Sequence, residues 1–238
     1  MKVPPFHWWR TVFFLIPAIG VYTIVLGVLS LASTLVDRRG YTAHRIARLW
    51  AWLILKTTGV RVTVKGAAPA AHESFVFAAN HQSFYDIPVI FTSLPHSLRI
   101  IAKSSLGSFP FVGWHLKWAG HLLIHEKDRS AEVLKKMQSM ISDRASLIIF
   151  PEGTRSLDGV VHDFKGGVFL MAINSGLPVV PLSISGARHV MLRGELTTRP
   201  GHITITIHPP IPTAGMTKAD ARGLSEKVRT IVANDVAS

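Results

Sequence analysis

The stretch FVFAANHQSFYD, residues 75–86, runs from unbroken apolar chain straight into a polar turn. Phe75 to Ala79 is too short for a helix, and a short continuous apolar run suits a strand buried on both faces. It is followed by His81 and Asp86, with four residues between them. That spacing does not put two side chains on one face of a regular helix, but a strand-to-helix turn can fold one back onto the other. A carboxylate bonded to one imidazole nitrogen fixes the tautomer and leaves the other nitrogen to take a proton. The plain alternative is a histidine satisfied in the core beside an aspartate that caps a helix.

Similar apolar runs recur at Ile100–Ala102, Leu122–Ile124, Leu147–Phe150 and Val179–Leu182. VRVTVK (60–65) and ITITIH (203–208) alternate, as half-buried strands do. Helical patterns lie between the strands. SAEVLKKMQSMISDR opens with Ser130 as a cap, and TKADARGLSEKVRTIVAND pairs Thr217 with Asp220 three residues on. Strands alternating with helices predict an α/β sheet covered on both faces. In VPLSISG (180–186), Pro181 is expected to end a strand or force an edge.

The chain has 238 residues, 48% of them hydrophobic, enough for one α/β domain and an appendage. It has no cysteine, which excludes disulfides, thiolate metal sites and a cysteine nucleophile. Nine lysines and arginines up to Lys65 oppose the single Asp37, so these residues carry +8 of the total +12. Thr11 to Val36 is 26 residues without a charge. As a helix it would reach about 39 Å, more than the ~30 Å hydrocarbon core. It reads as a retained membrane-embedded helix, with Pro17, Gly20 and Gly27 leaving a monotopic arrangement open. The basic DRRGYTAHRIARLW after it places the rest of the chain on the cytoplasmic side. Thr42 to Thr57 mixes Arg45, Arg48 and Lys56 with Trp50 and Trp52, a second helix for an anionic leaflet or an ordinary core helix. Charges set among tryptophans beside a long apolar run favour lipid over nucleic acid. The boundary falls near residue 59, giving anchoring helices over 1–58 and the α/β domain over 59–238.

In open α/β sheets ligands gather at the carboxyl ends of strands. FPEGTRS (150–156) lies at such an end: Gly153 and neighbouring amides suit an anion-accepting turn, and Arg155 can grip a phosphate through two nitrogens. Glu152 could orient Arg155 or bind hydroxyls, and Lys103 and Lys165 add cations at equivalent positions. The alternative is a turn carrying a surface ion pair. His121 and His125 have a helical zinc spacing, but the intervening Leu122–Ile124 reads as strand, which holds side chains that far apart at ~13 Å. No metal is expected.

Together these blocks resemble the glycerolipid acyltransferase family, in particular its 1-acyl-sn-glycerol-3-phosphate acyltransferases. The likeness covers roughly residues 60–212. It rests on Asn80-His81-x-Ser83-x-x-Asp86, on Lys103 with Gly113 and GHLLI, on Phe150 to Ser156, and on Val180-Pro181. The resemblance implies a mixed, mostly parallel sheet flanked by helices, with an N-terminal membrane-associated helical segment. It implies His81 as general base oriented by Asp86, with Lys103, Glu152, Gly153, Thr154 and Arg155 binding substrate. The implied reaction moves an acyl chain from acyl-CoA or acyl carrier protein, as co-substrate, to lysophosphatidic acid, with no further cofactor. The implied location is the cytoplasmic face of a bacterial inner membrane. One block departs from the pattern: GHLLIHEKDR has His125 and Glu126 where the family usually has aspartate and arginine, with Lys127 or Arg129 as substitutes. A lyso-ornithine lipid or another lysophospholipid is therefore an alternative acceptor. A non-catalytic phospholipid-binding protein is the alternative outside enzymes.

Overall fold

The computed structural model describes residues 5–37, 39–108, 116, 120–124, 135, 137–138 and 143–236, with Lys103 and Leu106 described in their backbone only. The Ser130 cap, Gly113 and the variant block from His125 to Arg129 lie outside the described residues. Helix α1 runs Phe6–Ser33, with the wider π form at Thr11–Leu15. Helix α2 (Tyr41–Thr58) turns back at Gly59, whose φ of +77° favours glycine, into strand β1 (Val60–Gly66). Then come β2 (Val76–Ala79), α3 (Asp86–Ser93), β3 (Ser97–Lys103), β4 (Leu122–Ile124), β5 (Ala145–Ile149), α4 (Gly166–Ser175), β6 (Val179–Ser185), α5 (Ala187–Val190), β7 (Gly201–Ile207) and α6 (Ala221–Val236).

The strands form one sheet in the order β1-β7-β6-β2-β5-β3-β4. Every neighbouring pair is parallel except β6 with β7, so the sheet is mixed and mostly parallel, as expected. The five apolar runs are all strands, and β2 and β5 are buried throughout. The period of two sorts their side chains. Phe77 and Ala79 join Leu182, Ile184 and Ile205 under α2 and α3. Val76 and Ala78 join Leu147, Ile149 and Val179 under Phe169 of α4 and Leu224, Val228 and Val232 of α6. Each buried Val, Leu, Ile or Phe among them contributes roughly 1.5–3 kcal/mol. The Thr217 N–H donates to the Asp220 carboxylate at 2.7 Å, the expected capping box.

Pro181 departs from expectation. It sits inside β6, opposite Ala78 in an interior strand. Its carbonyl accepts from His208 N at 3.1 Å, so its missing donor faces the segment after Ile207, where β7 has already ended. No ladder bond is lost there, and the sheet tolerates the proline.

Helix α2 does two things at once. Ala51, Ile54 and Leu55 enter the core, while Leu49, Trp52 and Lys56 face outward. The boundary at residue 59 is thus a turn inside a shared core.

Candidate active site

β6, β2 and β5 are adjacent and parallel, so their carboxyl ends share one edge of the sheet. Asn80, just past β2, locks that edge: its amide donates to Ile184 O and accepts from Ile184 N, both at 2.8 Å. The chain then turns, and Asp86 begins α3.

His81 Nδ1 lies 2.7 Å from Asp86 Oδ2. The same oxygen accepts the N–H groups of Gln82 and Ser83, at 2.8 and 2.9 Å. An oxygen loaded with two backbone donors acts as an acceptor, so Nδ1 carries the proton and Nε2 keeps its lone pair. Asp86 is fully buried, and its Oδ1 has no hydrogen-bond partner among the described residues. The imidazole stacks on Phe150, with centroids 4.1 Å apart, and remains partly open to solvent. The turn therefore brings together the two residues that the sequence placed five apart.

The second block grips the first through the backbone. His81 N donates to Glu152 Oε1 at 2.8 Å, and Ser156 N donates to His81 O at 2.7 Å. Glu152 Oε2 accepts from His162 N at 3.4 Å. Burial pushes the Glu152 carboxyl above its ordinary value, and the N–H groups of His81 and His162 pull it back. Both its oxygens thus accept backbone N–H groups, which ties the two blocks together.

Arg155 stacks over Phe84, its guanidinium carbon 3.7 Å from the ring centroid. Burial lowers it from its ordinary value, the charge of Arg193 adds to this, and Asp86 opposes it. It therefore feels the dyad's carboxylate and a second guanidinium together. Gly153 has φ +74°, and a side chain there would begin 2.9 Å from Lys165 Nζ, so the lysine reaches over this turn. Thr154 is exposed beside it. Lys103 ends β3, at the same edge as β2 and β5. His121 precedes β4, and its Nδ1 accepts from Ile100 N at 3.0 Å. Among the described residues no three histidines or carboxylates converge as metal ligands.

The acyltransferase family model matches residues 61–185, which include the dyad and the second block. A 1-acyl-sn-glycerol-3-phosphate acyltransferase of Chlamydomonas reinhardtii is 35% identical over 179 residues, 73% of this chain and 53% of that protein. The human 1-acyl-sn-glycerol-3-phosphate acyltransferase alpha is 30% identical over 216 residues, 87% of this chain and 75% of that protein. The crystal structure of the 1-acyl-sn-glycerophosphate acyltransferase from Thermotoga maritima matches with a TM-score of 0.72 at 25% identity, over 92% of this chain and 94% of that one.

The chain belongs to the acyltransferase family.

It spans about half the length of the algal and plant relatives it matches, between 48% and 58%. In this member of the family the segment 191–199 also reaches the candidate site, which no sequence pattern announced. Ser83 Oγ donates to Met191 O at 2.9 Å, and Arg193 donates to the carbonyl of Arg155. No local pattern marks Arg193; only the fold carries it across 38 positions to Arg155.

Proposed function

We propose that this chain transfers a fatty acyl group from a thioester to the sn-2 hydroxyl of lysophosphatidic acid. The observation that carries this reading is the His81–Asp86 pair, set at 2.7 Å with Nε2 left to accept a proton. Nε2 takes the hydroxyl proton as that oxygen attacks the thioester carbonyl. Asp86 stabilises the resulting imidazolium. Collapse of the tetrahedral intermediate breaks the carbon–sulfur bond, and the thiolate leaves with the proton returned by His81. Arg155, with Arg193 and Lys165 nearby and Lys103 at the neighbouring strand end, holds the acceptor phosphate and places its hydroxyl. A cavity of about 200 Å³, lined by Leu26, Gly27, Trp50, Ile87 and Phe91 among others, suits an acyl chain. It includes Ile87, the residue after Asp86.

The lipid substrates explain the first helix. Phe6–Ser33 is 28 residues long and contains an 18-residue window of mean hydropathy 2.5, long and apolar enough to cross a membrane. Its two ends are nevertheless tied to one body. Arg10 donates to Thr58 O at 2.6 Å, and Thr198 N donates to Thr11 Oγ1 at 3.0 Å. Just past the other end, Arg99 donates to Arg39 O at 2.6 Å and Tyr41 donates to Asp143 O at 2.7 Å. A crossing helix would carry these ends to opposite sides of a bilayer. We therefore read α1 as lying in one leaflet, on the cytoplasmic face of a bacterial inner membrane, with Phe13, Phe14, Val21, Val25 and Val28 in lipid.

The test is transfer assayed on a panel of lysophosphatidic acid, lyso-ornithine lipid and other lysophospholipids, with acyl-CoA and acyl carrier protein as donors. Lysophosphatidic acid is expected to give the highest kcat/KM. A preference for a phosphate-free acceptor would move the reading to the alternative, and no turnover with any acceptor would overturn it.

A further inference from the structure

The loops around His81 carry a surface that the transfer reaction does not require. Among the described residues beyond position 58, five large apolar side chains are exposed: Val64, Phe84, Leu157, Val160 and Leu196. All but Val64 lie on the loops around His81 and are between 55% and 65% exposed. An ordinary soluble surface scatters such residues; here they collect on one rim.

That rim is a built object. Gln82 donates to Gly159 O at 2.8 Å, joining the loop of Phe84 to the loop of Leu157 and Val160. Arg188 donates to Leu157 O at 2.7 Å, and Ser83 reaches Met191 O at the start of the loop of Leu196. Asp158 is satisfied from within, by Ser156 Oγ at 2.8 Å and Val160 N at 3.0 Å, which fixes the tip that presents Val160. The apolar tips are thus held outward. These loops carry Arg155, Lys165, Arg188, Arg193 and Arg199 against Asp158, Asp163 and Glu195, with Asp86 and Glu152 buried, so the charge that reaches the surface is positive in balance. The rim also continues into the exposed apolar face of α1. Thr198, two residues past Leu196, is bonded to Thr11, and Phe13 and Phe14 follow on that helix.

We propose that these loops are a second membrane-contacting element, which inserts Phe84, Leu157, Val160 and Leu196 into the headgroup boundary of an anionic leaflet. Apolar tips interleaved with arginines are what such a boundary accepts: the tips enter the acyl edge and the guanidiniums stay among the phosphates. A mouth seated this way receives a lysolipid without the lipid crossing water. The inference does not depend on which acceptor the site uses.

The chain contains no cysteine, so single cysteines report without background. In the full chain, Leu157→Cys, Val160→Cys and Leu196→Cys are each labelled with an environment-sensitive fluorophore, alongside Lys227→Cys on α6 beneath the other face of the sheet. The protein is then mixed with phosphatidylglycerol vesicles, phosphatidylcholine vesicles or acyl carrier protein. The expected result is a blue shift and brightening at 157, 160 and 196 on anionic vesicles, quenched by spin-labelled acyl chains, with position 227 unchanged. Serine in place of an inserted leucine is expected to weaken this response on the order of fivefold. Rim probes that stay as in buffer while the protein floats with vesicles would overturn the proposal. So would an equal response to neutral vesicles, or a response to acyl carrier protein alone, which would assign the rim to a protein partner.

Discussion

At the scale of single residues, the site depends on one oxygen of Asp86 that orders three donors. Asparagine at 86 can present its one oxygen to the same three donors, but it carries no negative charge to stabilise the imidazolium that forms at His81. Asp86→Asn is therefore expected to hold the fold and lower kcat by about 10³- to 10⁴-fold, checked by steady-state assay beside thermal unfolding. The proposed grip of Arg155 on the acceptor phosphate is one of charge. Arg155→Ala is expected to raise the KM for lysophosphatidic acid roughly ten- to a hundredfold, as loss of a charge-assisted bond implies, with lysine a partial rescue. Donor KM should stay put, and an unchanged acceptor KM would remove Arg155 from the site. The dyad was legible in the sequence because both its members lie in one turn. The hold of Glu152 on the backbone N–H groups of His81 and His162 was not legible, because those partners lie 71 and 10 positions away in the chain. Arg193 was not legible, because nothing short of the folded chain brings it to Arg155.

At the scale of elements, α2 shows what a helix gives up by serving both core and surface. His44 sits on its inner face, where Leu98 N donates to its Nδ1 at 3.4 Å. Burial, then the charges of Arg99 and Arg48, lower its imidazole to about 3. The sign follows from linkage: as pH falls below about 6.5 the unfolded chain takes a proton at His44 while the folded chain does not. Stability is therefore full above that pH and declines through the window down to about 3, by on the order of 1.4 kcal/mol per pH unit from this group. Urea unfolding at several pH values should show the slope, and His44→Asn should flatten it. An identical slope in the two proteins would show that His44 titrates in the folded state as it does in the unfolded one. The mixed composition of 42–57 allowed a membrane helix or a core helix in sequence, and the structure shows why. Ala51, Ile54 and Leu55 pack inward while Leu49 and Trp52 point out, a division that only the packing partners α1 and α3 decide.

At the scale of the whole molecule, the strand pattern was the most legible feature. Short runs buried on both faces can hardly be read otherwise, and their carboxyl ends located the site. The antiparallel β7 beside β6 and the interior place of Pro181 depend on where β7 stops, which hydrophobic periodicity does not encode. The length of α1 was legible too, but not the pinning of both its ends to the domain. Its apolar term is unscreened by salt, so vesicle flotation of the full chain is expected to persist at high ionic strength, and salt-induced release would refute an embedded helix. The proposed role of His81 as the base of an acyl transfer is tested by His81→Ala. Product formation from lysophosphatidic acid and an acyl thioester is measured for both proteins at equal vesicle binding and equal thermal stability. The variant is expected to lose transfer by at least about 10²-fold; turnover near that of the unaltered protein would show that His81 is not the base.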